Sequence, residues 1–281
     1  MDEYRLTLQQ VVDYGVYLRG QEREQSTIEK YLHNVREFCS WMGVQSLSKE
    51  RVAEWKEIVS QSGHAPATVN GKIAAVNGFL EFIGRAECKV KPLRIQRRVF
   101  RDSSRELTKN EYEKLVSSAI ALGKDRLGLT LETICATGIR VSELKYITVE
   151  AALRGRAEIA LKGKIRTIMI PNKLCRKLLK YAKKQKIASG EVFLTKSGKS
   201  ISRKQVWAEM KALCRKAGVD AEKVFPHNLR HLFARCFYRV CRDIARLADI
   251  LGHSSIETTR IYLISSGKEH ERTLERLQLI S

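Results

Sequence analysis

Apolar residues recur along the first 87 positions at intervals of three and four, the spacing that lays a stripe along a helix. Leu6, Leu8, Val11 and Val12 open one stripe, which continues through Val16 and Leu18 until Gly20 and the polar run QEREQ stop it. Ser26 or Thr27 is placed to cap a second helix. Its predicted apolar face is Ile28, Tyr31, Leu32, Val35, Phe38 and Cys39, and Gly43 ends it. A third helix is expected after Ser48, through Val52, Trp55 and Val59. Gly63 and Pro66 then make a loop before Val69, Ile73, Val76, Phe79, Leu80 and Ile83, again at helical spacing. The pattern predicts a small bundle whose aromatics, Tyr31, Phe38 and Trp55 among them, face the core.

The periodicity then lapses. Cys88 to Arg101, CKVKPLRIQRRVFR, carries Lys89, Lys91, Arg94, Arg97, Arg98 and Arg101 with no acidic residue. Pro92 and the missing helical period argue for an extended strap. Such a run can be a solvated linker, but between two domains of a basic protein it suits a phosphate backbone. The expected division is a helical domain over 1–87, a basic linker over 88–105 and a second domain over 106–281.

In that second domain, Thr108 and Glu111 form the capping-box pattern that opens a helical region reaching Cys135. Thr137-Gly138 interrupts it. A new helix is expected from Ile139, setting Arg140 and Glu143 one turn apart so that the carboxylate can brace the guanidinium. Ala157 to Leu161 and Arg166 to Ile170 flank a turn over Lys162 to Ile165 and read as a hairpin. After Pro171 the pattern is helical again. The expected fold class is mainly α with a small β-hairpin, in two domains.

Charge narrows the function. Lys and Arg number 52 against 31 Asp and Glu, a formal +21, and an excess of that size calls for a polyanion such as DNA or RNA. Hydrophobic content of 43% fits a globular chain. No apolar run reaches the roughly 18 residues of a membrane span, and MDEYRLTLQQ lacks the pattern of a signal peptide, so a cytoplasmic location is expected. Seven cysteines without C-x-x-C spacing agree with a reducing compartment, and Cys135, Cys214, Cys236 and Cys241 are expected as small core residues.

The candidate chemistry lies in two stretches. ATGIRVSEL holds Arg140 and Glu143, and a later segment holds a His-x-x-Arg-His cluster, a Leu-Gly-His turn and a tyrosine nine residues beyond that last histidine. Phosphodiester cleavage by a tyrosine oxygen puts charge on two non-bridging oxygens, and arginine meets it with a permanently charged planar fork. Arg140 and Arg230 are the candidates. The phenol, with an unperturbed pKa of about 10, needs a proton acceptor, and His227 fits. His227, Arg230 and His231 stand at i, i+3 and i+4, on one helical face. Lys162, at the hairpin tip, can protonate the departing 5′-hydroxyl. Ser254 and Glu257 read as a capping box for a helix carrying Tyr262 about two turns along, and His253 can donate to the phosphate. No metal is required. Singly, each residue reads as surface or packing; their combination points to the chemistry.

These motifs resemble the tyrosine recombinase family, the phage integrases and Xer-type recombinases. ATGIRVSEL is similar to the family's first Arg box, HNLRHLFA to its His-x-Leu-Arg-His box and LGHSSIETTRIYL to its Leu-Gly-His…Tyr box. STIEKYLHNVREFCSWMG and TVNGKIAAVNGFLEFIG look like its SAM-like core-binding domain. The resemblance implies a two-domain clamp on double-stranded DNA. Four protomers would exchange strands at short core sites through 3′-phosphotyrosine links and a Holliday junction, without cofactor or metal. By position Arg140, Lys162, His227, Arg230 and His253 match the catalytic set, Tyr262 the nucleophile and Glu143 its bracing acid. The tail after Tyr262, including LERLQLIS, would dock on a neighbouring protomer. Integration or excision of a mobile element and resolution of replicon dimers both remain open, as does an accessory or partner recombinase. LKGKIRTIMIP is one residue shorter than the family's usual hairpin, so Lys164 is an alternative to Lys162. The competing readings are a type IB-like topoisomerase and a non-catalytic DNA-binding regulator.

Overall fold

The computed structural model describes residues 4–95, 103–161, 164–253, 255–262 and 275–277. The chain divides into two compact units, Met1–Arg97 and Arg98–Ser281. The first contains α1 (Leu8–Gly20), α2 (Gln25–Met42), α3 (Lys49–Gln61) and α4 (Pro66–Phe82). Helix α4 runs through its middle. Ile73, Val76 and Leu80 pack with Phe38, Val52 and Trp55 on one side, while Ala75 and Phe79 pack with Val11, Tyr14 and Val35 on another. Helix α4 thus buries two adjoining apolar rows, while Thr68, Ala74 and Glu81 stay exposed.

The α1 stripe is narrower than its sequence suggests. Val11, Tyr14, Gly15 and Leu18 are buried, whereas Leu8, Val12 and Val16 face outward. Two apolar positions in a row cannot both lie on one face, and the tyrosine at 14 fixes which row turns inward. Helix α2 begins with Glu24 as its N-cap residue, ahead of the expected Ser26 or Thr27. Gly43 ends α2 and Ser48 caps the start of α3, as expected.

The strap does not leave the first unit at Cys88. Cys88 and Val90 are buried in its core. Asn77 donates to the Val90 carbonyl at 2.8 Å and accepts from its N–H at 3.1 Å. Asn70, two turns earlier on α4, does the same for Leu93, at 2.9 and 2.7 Å. Each amide thus acts as a one-residue strand partner for extended backbone.

The second unit contains α5 (Lys109–Ala121), α6 (Asp125–Thr137), α7 (Val149–Arg154), the antiparallel hairpin β1 (Arg156–Leu161) and β2 (Lys164–Met169), α8 (Asn172–Lys184) and α9 (Arg203–Ala217). It ends with α10 (Pro226–Cys241), α11 (Ile244–Leu251) and α12 (Ile256–Arg260). Thr108 and Glu111 form the expected capping box on α5. Helix α6 is its buried spine, with Leu127, Leu131 and Ile134 in the core. Buried Thr130, Thr133 and Thr137 return their hydroxyl protons to the carbonyls four residues back, so no polar atom of theirs is stranded.

The hairpin pairs Arg156 with Met169 and closes on Leu161 and Lys164, a tighter connection than the four-residue turn expected. Lys162 and Gly163 lie outside the described residues, as do Arg97, Arg98 and Arg101. All seven cysteines are free thiols, and Cys236 is exposed rather than in the core. Among the described residues no helix is long and apolar enough to cross a membrane.

Truncating the central aromatic of the first unit should be costly. Phe79→Ala is expected to lower stability by about 3–5 kcal/mol in a urea titration, whereas Val12→Ala on the outward face of α1 should change it by less than about 0.5 kcal/mol.

Candidate active site

Arg230 organises the site. It lies in α10, which begins with Pro226 at its first position, where the missing N–H costs nothing. Its side chain is among the largest fully buried ones in the chain. Nη1 donates to the Gly138 carbonyl at 2.6 Å, and Nη2 to the Leu251 carbonyl at 2.7 Å, with His253 Nε2 at 2.9 Å. Burial lowers its pKa to about 10, with Arg140 adding to the effect and a hydrogen bond with the Tyr262 side chain opposing it. It remains a cation at neutral pH.

Both carbonyls lie at the buried C-terminal ends of helices. Gly138 ends α6 in the left-handed conformation, at φ 66°. A Cβ there would come within 2.4 Å of the Phe233 ring on α10, so the glycine admits the close packing that brings Arg230 to its carbonyl. Helix α11 ends in a Schellman motif, with Gly252 N–H bonded to Asp249 O and His253 N–H to Ala248 O. That leaves the Ile250 and Leu251 carbonyls without helical partners, at the negative end of the dipole. Arg166 Nη1 takes the first at 2.6 Å and Arg230 the second.

Arg140 is held differently from the expected helical pair. No α-helix starts at Ile139; Arg140 has extended backbone and precedes a 3₁₀ turn over Val141–Tyr146. The Glu143 carboxylate folds back to accept the Arg140 N–H at 2.6 Å and its Nη1 at 3.0 Å. It also accepts from Arg166 Nη2 at 2.5 Å. Glu143 is only 1% exposed, whereas the Arg140 side chain is 43% exposed and offers its remaining edge to solvent.

The rings gather around Tyr262. His231 meets the tyrosine edge-on at 4.3 Å between centroids, His253 stacks at 5.7 Å and His227 lies at 6.2 Å. His227 and His231 are themselves 4.6 Å apart, one turn along α10. Tyr262 is not in a helix two turns from Ser254. Ser255 caps α12, one residue later than expected, and α12 ends at Arg260. Ser254 itself lies outside the described residues. Tyr262 follows in a turn closed by its N–H on Thr259 O, packed against Ala234, Leu247 and Leu251.

Two histidines are held neutral. Desolvation, then Arg230 and Arg140, lower the His253 pKa to about 4, and its Nδ1 is 2.8 Å from the buried Thr259 hydroxyl. Crowding of the His227 ring lowers its pKa too, with Arg230 and Arg140 adding to it, although the residue still meets solvent. Among the described residues, no group of three or more His, Cys, Asp or Glu is placed to hold a metal ion.

Residues 105–269, more than half of the chain, match the phage integrase family. The chain belongs to that family, the tyrosine recombinases. The recombinase is 28% identical to the tyrosine recombinase XerA of Pyrococcus furiosus over all of its own length and 98% of the relative's. It is 25% identical to XerD of Halalkalibacterium halodurans, over 93% of this chain and 94% of that one. Its fold is that of a lambda integrase tetramer solved on a Holliday junction, with a TM-score of 0.72 at 18% identity over 92% of this chain and 77% of that chain.

Of the expected site residues, Arg140, Glu143, His227, Arg230, His253 and Tyr262 come together in the recombinase. Lys162 lies outside the described residues, and nothing is described of the Lys164 side chain. Of the strap residues, Lys89 pairs with Glu81 at 2.7 Å, while Lys91 and Arg94 are exposed. Arg166 went unnoticed in the sequence. Its signal was there: with Ile168 and Ile170, both buried, it occupies the inward-facing alternate positions beyond the hairpin turn, and a charge on a buried strand face wants a partner.

The His253 environment has a pH consequence. An unfolded histidine titrates near 6.5, so between about pH 6.5 and 4 the unfolded recombinase binds a proton that the folded one refuses. Stability is full above that window, falls as pH drops through it and levels off below. Urea midpoints taken across it should slope less in His253→Gln than in wild type.

Proposed function

We propose that this tyrosine-type site-specific recombinase cleaves DNA with Tyr262 Oη. The oxygen attacks a backbone phosphorus, the P–O5′ bond breaks, and a 3′-phosphotyrosine and a free 5′-hydroxyl result. The observation that carries this reading is the convergence of Tyr262, three imidazoles and the guanidinium of Arg230 in one pocket. His227, its pKa lowered by burial and then by Arg230 and Arg140, takes the phenolic proton. Arg140 and Arg230 hold the non-bridging oxygens, and His253, fixed between Arg230 and Thr259, donates a third hydrogen bond. Lys162 supplies the proton that O5′ gains, with Lys164 as the alternative donor. The chemistry uses no cofactor and conserves the bond energy, so the 5′-hydroxyl of a partner strand reverses it.

Strand exchange follows if four protomers hold two duplexes. The lambda integrase neighbour forms a tetramer on a Holliday junction, and the Xer relatives favour exchange over simple relaxation. The helical domain and Lys89, Lys91, Arg94, Arg97, Arg98 and Arg101 of the strap contact the DNA backbone. The tail beyond Tyr262 docks on the neighbouring protomer. The cellular outcome is integration or excision of a mobile element, or resolution of replicon dimers, in the cytoplasm.

Supercoiled plasmid carrying the gene's flanking DNA, incubated with the protein and quenched with detergent, tests the nucleophile. Wild type is expected to give a protease-sensitive adduct and recombinant circles, and Tyr262→Phe neither. An adduct that persists in Tyr262→Phe would remove Tyr262 from the role, and relaxation without recombinant circles would replace exchange by topoisomerase action. Arg230→Ala should slow adduct formation by roughly a hundred- to a thousandfold.

A further inference from the structure

Arg166 is the charged side chain of the site that the proposed chemistry leaves without a task. It is mostly buried, in β2, two residues beyond the hairpin's first residue on that strand. Its guanidinium spans two elements. Nη2 holds the Glu143 carboxylate, which in turn holds Arg140; Nη1 holds the Ile250 carbonyl at the end of α11, three residues before His253. The stem of the side chain lies against Gly252. A Cβ at that position would come within 2.5 Å of Arg166 Cδ, so the glycine of the Leu-Gly-His turn serves the close approach of Arg166 as well as the left-handed cap.

We infer that Arg166 is a positioning residue for phosphate charge, fixing Arg140 through Glu143 and His253 through the end of α11. This rests on the reading of Arg140 and His253 as phosphate donors. The geometry favours it over a merely structural ion pair in two ways. Glu143 needs no second cation to neutralise it, because Arg140 already bonds both its oxygens. A second arginine beside it therefore leaves the cluster net positive, an arrangement that favours an anion in the pocket rather than the empty fold. Arg166 also acts on the two central groups, lowering the proton affinity of both Arg230 and His253. A lysine replaces it only in part, since a single ammonium lacks the fork that reaches carboxylate and carbonyl together.

The test compares two versions of one duplex, recovered from a randomised pool by its adduct with the wild-type protein. In the second version the scissile phosphate is a methylphosphonate, in which a methyl group replaces one non-bridging oxygen and removes the charge. On the natural duplex Arg166→Ala should cleave on the order of a hundredfold more slowly than wild type while binding DNA nearly as well. On the methylphosphonate the ratio of wild-type to variant rates should shrink to within about fivefold, because the charge that Arg166 helps to hold is gone. A ratio unchanged between the two duplexes, or an Arg166→Ala that cleaves the natural duplex at the wild-type rate, overturns the inference. If Arg166→Ala does not fold, Arg166→Lys carries the same comparison, with a smaller defect expected on the natural duplex and the same collapse on the neutral one. Arg140→Ala is run beside them. If it cleaves the natural duplex normally, the phosphate-donor reading itself falls; if it is impaired while Arg166→Ala is not, only the inference does.

Discussion

One buried guanidinium holds the site together. Arg230 is a full charge taken out of water, and such a charge is tolerated only where fixed dipoles replace its hydration. Here they are the carbonyls that end two helices, α6 at Gly138 and α11 at Leu251. Neither carbonyl has a helical partner, so the arginine and the helix ends satisfy one another. The arrangement also fixes the ends of these two helices relative to α10, and everything else in the pocket hangs from them. Gly138 precedes Arg140 by two residues, Leu251 precedes His253 by two, and Leu251 is part of the wall against which Tyr262 packs.

The second feature is an electrostatic imbalance left in place. Arg140 and Arg166 share a single carboxylate, that of Glu143, and Arg230 lies within electrostatic reach of both arginines. Burial first, and the neighbouring guanidinium charges after it, lower the proton affinity of Arg230 and of the two histidines His227 and His253. Protons are therefore excluded from the imidazoles at neutral pH, and a phosphodiester entering the pocket brings the negative charge the cluster lacks. Positive charges held this close cost stability, a familiar trade between stability and function.

Much of this was legible from the residues. The Arg140, His227–Arg230 and His253…Tyr262 stretches stood out because a particular chemistry needs those groups, and the structure brings their described members within one pocket. The bundle was legible from its period, since Ile28, Val35 and Phe38 of α2 and five of the six buried residues of α4 lie on the predicted stripes. The misses share a cause: local pattern was ambiguous and tertiary packing chose. Val11 and Val12 are equally apolar, and only the seating of Tyr14 decides between them. Ser254 and Ser255 are equally good caps, and the one that serves is set by the Schellman turn before it. Glu143 reaches Arg140 through a 3₁₀ turn rather than an α-helix because α6 ends in a left-handed glycine and the chain must restart in extended form. Arg166 was missed because its partners lie 23 and 84 residues away, beyond any local pattern.

The paired amides of Asn70 and Asn77 bear on how the strap can change over evolutionary time. They grip peptide groups, not side chains, at Leu93 and Val90. The route of the chain across α4 is therefore encoded in the helix, while outward positions such as Lys91 carry no part of that instruction. Basic residues along the strap can be exchanged, added or removed without redirecting the backbone. The outward charge of this segment can therefore drift at little cost to the fold.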